Sequence, residues 1–166
     1  MLETTRLLLK PLTYNQLVKY TLNDGSIEVE LGLNAITREI SPELKDALER
    51  VILPGVADPE RNYLFATLWT IILKEENRMV GDICFYGEPN EEGEVEIGYG
   101  TYSAYQGNGY MTEAVAALIR WALEQPGVKK ILASTDKTNV ASYSVLVKNG
   151  FEKVGESDEL FCWAYN

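Results

Sequence analysis

Histidine is absent from the 166-residue chain. That absence excludes a histidine general base, a Ser-His-Asp triad and the common histidine metal sites. Cysteine is scarce. Cys84 and Cys162 form neither a metal spacing nor a disulfide framework. Both lie in apolar, strand-like contexts that predict buried thiols, and their number fits a reducing cytoplasm. Long apolar runs are missing: no stretch approaches the ~20 residues of a membrane span, and Leu7–Leu9 is too short for a signal-peptide core. The expectation is a cytoplasmic protein with no metal and no membrane partner. Basic charge is in deficit, with 15 Lys and Arg against 25 Asp and Glu and a net charge of -10. That balance argues against a nucleic-acid partner. It is compatible with attracting cationic amines, although most of it reads as solvated surface.

What is present is an apolar share of 46% and a charged share of 24%, those of a soluble globular protein. The length predicts one domain over residues 1–166. Thr5 to Leu12 reads as a first strand. Thr13 and Gln16 have the capping-box spacing of a helix that runs through Leu22 and stops at Asn23-Asp24-Gly25. Ser26 to Glu39 resists assignment, because Gly32 and Asn34 interrupt the alternation of Ile27, Val29 and Leu31. Ser41-Pro42 starts a second helix that Pro54-Gly55 is expected to end. Leu64–Leu73, Met79–Tyr86 and Glu94–Tyr102 then predict an antiparallel meander. A strong amphipathic helix from about Gly109 to Glu124 leads to a strand at Lys130–Thr135, which implies a parallel crossover. Asn139 caps a last helix ending at Gly150, and Phe151–Gly155 and Leu160–Tyr165 close the chain as strands. The fold class is α+β.

The joint between strand and amphipathic helix, Tyr105 to Ala114, is the organising stretch. Gly107 and Gly109 sit where a chain takes positive φ or admits a close neighbour. The first helical turn leaves N–H groups without partners at the positive end of the dipole, a ready anion site. A plain tight turn is the competing account.

Gln106-Gly107-Asn108-Gly109-Tyr110-Met111 resembles the acetyl-CoA pyrophosphate loop of the GNAT N-acetyltransferases. Glu96-Ile97-Gly98-Tyr99, then Thr112-Glu113-Ala114, and then Asn139, Ser142, Val145-Leu146, Lys148 and Gly150-Phe151 extend the likeness to the RimJ/RimL branch of that family, as does Thr5-Arg6-Leu7-Leu8-Leu9. The resemblance implies a GNAT fold: a mixed, mostly antiparallel sheet flanked by helices, with a splayed central strand pair, Glu94–Tyr102 and Lys130–Thr135. It implies acetyl-CoA as co-substrate, gripped by Gln106, Gly107, Asn108, Gly109, Tyr110, Met111 and Thr112. Tyr99, Gly100 and Thr101 would pair with pantetheine, where the family's strand is usually splayed by a bulge. Gly98 and Gly100 suit such a bulge, or simple packing space. Three positions depart from the pattern. Met111 stands where the loop prefers glycine or alanine, Gly100 replaces a common tryptophan, and Leu146 lies where many members carry a tyrosine acid.

The implied reaction is direct attack of an amine on the acetyl thioester. Glu96 is the candidate base, with Glu94 on the same face; a free glutamate has pKa about 4.3 and needs burial or a relay. A solvated strand residue is the alternative for Glu96. Ser142 is the candidate donor to the thiolate and a cofactor contact, or else a first-turn serine bonded to backbone. Asn139 caps its helix and is a candidate pantetheine partner. An α-amine, with pKa about 7.7–8.0, is roughly a tenth neutral near pH 7, whereas lysine at about 10.4 is almost wholly charged. A site without histidine therefore suits a protein or peptide N-terminal α-amine. A small-molecule amine acceptor, a CoA-binding module without transfer and a nucleotide-phosphate binder are the other readings. The chain is expected to be a monomer or homodimer.

Overall fold

A single mixed sheet carries the architecture. The computed structural model describes residues 1–166. Its strands are β1 (Leu2–Glu3), β2 (Leu7–Pro11), β3 (Leu68–Leu73), β4 (Arg78–Phe85), β5 (Glu94–Thr101), β6 (Lys130–Asp136), β7 (Glu152–Glu156) and β8 (Leu160–Tyr165). They are ordered β1-β2-β3-β4-β5-β6-β8-β7. β5 and β6 run parallel, and every other neighbouring pair is antiparallel. The helices are α1 (Tyr14–Leu22), α2 (Ser26–Leu31), α3 (Pro42–Ala47), α4 (Leu53–Ala57), α5 (Tyr110–Leu123) and α6 (Val140–Lys148). No helix is long and apolar enough to cross a membrane.

Strand alternation sends side chains to two faces, and each face has its own core. On the first, Leu7, Trp69, Ile83, Val95 and Ile97 pack against Met111, Val115 and Leu118 of α5. On the second, Leu68, Ile72 and Met79 pack against Leu17, Tyr20, Ile27 and Leu48 from the helices between β2 and β3. This is the α+β arrangement, a mixed and mostly antiparallel sheet with helices on both faces, that the family resemblance implied.

The splay at its centre is explicit in the register. β5 and β6 pair from Glu94↔Lys130 to Ile97↔Ala133 and no further. Beyond that point β5 stays with β4 through Gly81↔Thr101, while β6 stays with β8 through Asp136↔Leu160. A wedge therefore opens beside Gly98–Thr101. The expected bulge is not there: β4 and β5 pair in unbroken register, and the irregularities lie at Ile71/Ile72 and Lys153/Gly155.

Other expectations are corrected. Ser26–Leu31 is a helix between Gly25 and Gly32, both in the left-handed region. Pro54 does not end the second helix, which passes through a wide π turn at Leu48–Ile52 into α4. Proline lacks an N–H and crowds the carbonyl four residues back, and the widened turn upstream accommodates both defects. The third strand begins at Leu68 rather than Leu64, because Tyr63–Phe65 forms a 3₁₀ turn behind the Asn62 cap. The Thr13–Gln16 capping box is present as expected.

Candidate active site

The loop before α5 is held in shape from three sides. Gly107 and Gly109 have φ of +79° and +77°, and Gly109 is the N-cap of α5. Asn108 Nδ2 donates to the carbonyls of Tyr105 (3.1 Å) and Gln106 (3.2 Å), and Gln106 Nε2 donates to Thr101 O at 3.3 Å. Arg6 Nη1 donates to Asn108 O at 3.0 Å, and its guanidinium lies 4.7 Å from the Tyr110 ring centre. The first-turn N–H groups of Tyr110, Met111 and Thr112 have no helical carbonyl to reach.

Arg6 is itself anchored by Glu113. The carboxylate accepts from Thr4 Oγ1 (2.6 Å), Arg6 N (2.9 Å) and Arg6 Nε (2.6 Å). Burial acts to raise its pKa, but these bonds prevail and hold it below the ordinary carboxylate value. Glu113 thus straps the β1–β2 segment to the start of α5, a role that dipole arguments alone do not show. Its depressed pKa contributes stability above about pH 4.3, the unfolded value, and that contribution is lost as pH falls through the folded value. Glu113→Ala is expected to lower stability by about 1–2 kcal/mol at pH 7. In urea unfolding, the gap between wild type and variant should narrow as pH is taken down toward 3.

A groove of about 340 Å³ follows this loop. It is lined by Tyr99, Gly100 and Thr101 at the wedge, by the 105–112 turn, and by Asn139, Ser142 and Lys148. Most of the sequence-predicted cofactor residues thus converge: Gln106, Gly107, Gly109, Tyr110, Met111 and Thr112 all line it, while Asn108 shapes the loop from its side. Met111 is 5% exposed, its side chain in the α5 core, so its departure from the loop pattern leaves the backbone free to donate. Asn139 Oδ1 accepts from Ser142 N at 3.1 Å, the predicted cap. Tyr99 donates its hydroxyl to Ser142 O at 2.7 Å, bridging wedge and α6; burial pushes its pKa up to about 12. Leu146 is fully buried in the first core.

A second cavity, of about 620 Å³, lies on the other sheet face under α1 and residues 37–44. It shares Tyr99, Gly100, Thr101 and Gln106 with the groove. Gly100 is the window between them: a Cβ there would meet nothing within 4 Å. At the floor, Asp82 Oδ2 accepts from Tyr20 (2.6 Å) and Tyr102 (2.8 Å), and the Arg38 guanidinium lies 4.1 Å from the Tyr20 ring centre and 3.4 Å from Glu28. None of these residues stood out in the sequence, although one signal was available: Asp82 is a lone charge inside the apolar run Met79–Phe85.

The candidate bases are placed differently. Glu94 accepts from Lys130 Nζ at 3.0 Å and from Asn90 Nδ2 at 3.2 Å, and the Lys130 bond holds its pKa below the ordinary value. Glu96 sits half-buried on the second face of β5 beside Tyr86 and lines neither cavity. No group of three or more acidic, histidine or cysteine side chains could hold a metal ion.

Comparison with known proteins agrees with this geometry. A family described as "Acetyltransferase (GNAT) domain" matches residues 6–152. Among curated proteins, the uncharacterized N-acetyltransferase YjdG of Bacillus subtilis is 37% identical over 97 residues, a stretch that covers 58% of this chain and 58% of that protein. The chain therefore matches little more than half the length of this relative. Among solved structures, the ribosomal-protein-S5-alanine acetyltransferase of Vibrio fischeri superposes with a TM-score of 0.69 at 20% identity, over 98% of this chain and 94% of that one. RimL, a ribosomal L7/L12 α-N-protein acetyltransferase in complex with coenzyme A, gives 0.68 at 17% identity, over 98% and 94%. At such identities the likeness is one of fold.

Proposed function

The chain belongs to the GNAT acetyltransferase family, and on that premise we propose that it transfers acetyl from acetyl-CoA to a primary amine, with a protein or peptide N-terminal α-amine as acceptor. The observation that carries the proposal is the convergence of three features. These are the positive-φ loop Gly107–Gly109 at the start of α5, the unpaired edge Gly98–Thr101 and the α6 cap at Asn139. The loop N–H groups and the helix dipole suit a pyrophosphate. The edge of β5 freed by the splay offers backbone groups to pantetheine amides. The thioester then lies near the Gly100 window, with the amine arriving from the second cavity.

The chemistry needs a neutral amine, a proton acceptor and a donor to the leaving thiolate. An α-amine supplies the first near neutral pH. Ser142, whose backbone is fixed by Asn139 and Tyr99, is the proposed donor to sulfur. RimL, named an α-N-protein acetyltransferase, and the S5-alanine enzyme, named for an alanine of a ribosomal protein, support this acceptor class by analogy of fold. The test is release of CoA thiol from acetyl-CoA, measured with alanyl and seryl peptides, the same peptides carrying a blocked N-terminus, and small-molecule primary amines. Thiol release that requires the free α-amine is expected. Release with small amines alone would make this a small-molecule acetyltransferase. Binding without release across the whole set would leave a CoA-binding module.

A further inference from the structure

Asp82 is 7% exposed, yet it lines the second cavity at the Gly100 window. It is the direct cross-strand partner of Gly100, and Tyr102 lies just past the end of β5, its N–H bonded to Val80 O at 2.9 Å. A charged carboxylate buried this deeply is expensive unless compensated. The nearby cation does not fully compensate it, because Arg38 is paired with the equally buried Glu28 at 3.4 Å. Two phenol hydroxyls, from Tyr20 and Tyr102, converge on Oδ2, while Oδ1 and the facing Thr70 Oγ1 have no partner. Both phenols line the cavity, but Tyr20 is 1% exposed and Tyr102 half-buried, so Tyr102 is the more accessible of the two to an incoming amine.

Resting on the acetyl-transfer proposal above, we infer that Tyr102 and Asp82 form the proton relay for the acceptor amine: the phenol oxygen of Tyr102 takes the amine proton while its own proton passes to Asp82. Protons and bonds balance along this route. The neutral amine nitrogen forms the C–N bond to the acetyl carbon, and the C–S bond breaks with its electron pair leaving on sulfur. The nitrogen's surplus proton enters the relay, Asp82 ends protonated and Tyr102 neutral, and the thiolate takes a proton from solvent by way of Ser142. Asp82 then returns its proton to solvent.

The surroundings favour this direction of transfer. Burial raises the pKa of Asp82, with the Tyr20 and Tyr102 hydrogen bonds and the Arg38 charge opposing it, so its carboxylate is more basic than a solvated one. Cys84, on the same face of β4, is pushed up to about 12, chiefly by burial and then by Asp82, and does not compete as an anion. A hydroxyl that donates to a carboxylate is polarised and accepts more strongly. Tyr102 is the catalytic residue in this scheme, and Asp82 acts through it.

The experiment is the pH profile of amine-dependent CoA release in wild type, Asp82→Asn, Tyr102→Phe and Glu96→Gln, using the best peptide or small amine of the set, alongside the acetyl-CoA dissociation constant of each. Asp82→Asn and Tyr102→Phe should each lower kcat by about 10²–10³, with acetyl-CoA affinity within twofold of wild type. Both should shift the profile so that rate recovers at alkaline pH, where more free amine is present. A loss of rate with an alkaline shift in Glu96→Gln, while Asp82→Asn and Tyr102→Phe keep wild-type kcat, would place the base at Glu96 and overturn the relay. Tyr102→Phe removes a single oxygen, so the outcome stays decisive if Asp82→Asn does not fold. Wild-type kcat and profile in both relay variants, or loss of acetyl-CoA affinity in parallel with rate, would overturn the relay while leaving acetyl transfer standing. A wild type that releases no CoA with any amine would remove both.

Discussion

Gly81→Ala is expected to lower the melting temperature by about 5–10 °C, the shift that corresponds to roughly 2–3 kcal/mol of overpacking in a chain of this size. A Cβ at residue 81 would stand 2.5 Å from the Gly100 carbonyl oxygen and 3.2 Å from Thr101 Cα. Both obstacles are backbone, and both belong to the strand segment proposed to face pantetheine. Relief requires β5 to move off β4, so weaker acetyl-CoA binding should accompany the loss of stability. Gly100→Ala is the control. Its Cβ meets nothing within 4 Å, and its melting temperature should stay within about 2 °C of wild type. Differential scanning calorimetry and an acetyl-CoA titration on the two variants check both halves of the expectation. Equal behaviour of the pair would show that the β4–β5 contact is looser than its geometry implies.

The second large effect is on cofactor affinity. Gly107→Val with Gly109→Val places two β-branched residues at φ near +80°. Each such position is strained by about 1–2 kcal/mol. Without ligand the loop relaxes away from the strain, and binding must restore it. The dissociation constant for acetyl-CoA should therefore rise by about 30- to 1000-fold. Gly127 has φ of +85° just beyond α5 and outside the groove. Gly127→Val should lower stability but leave acetyl-CoA affinity unchanged. Isothermal titration calorimetry on these proteins separates a general penalty of positive φ from a specific role of the 107–109 turn.

Much of this architecture was legible in residue patterns, for local reasons. Gly-x-Gly before a periodic apolar run marks a strand-to-helix anion loop, Thr13–Gln16 marks a capping box, and Asn139 at three residues from Ser142 marks a cap. Each is set by contacts within a few residues. The wedge between β5 and β6 was expected from the family likeness, but its origin is not a bulge. It arises because β6 follows β8 while β5 follows β4, which only the assembled sheet shows.

Features made by distant pairs were not legible. The strap from Thr4 and Arg6 to Glu113 spans more than a hundred residues, and Glu113 alone looks like a first-turn dipole partner. The Asp82 cluster draws on α1, the segment around Arg38, β4 and the end of β5, so no single window contains it. α2 is six residues long between two left-handed glycines, too short for an apolar period to declare itself. The π turn before Pro54 is a response of the helix to the proline rather than a pattern in the residues.

The most direct measurement of the central claim is a crystal structure with acetyl-CoA. The pyrophosphate should lie within about 3.2 Å of backbone nitrogens between Gly107 and Thr112. Pantetheine should run beside Tyr99–Thr101 in the wedge, with the acetyl carbon at the Gly100 window facing Tyr102. A cofactor bound elsewhere, or one whose acetyl group points away from the second cavity, would contradict the account.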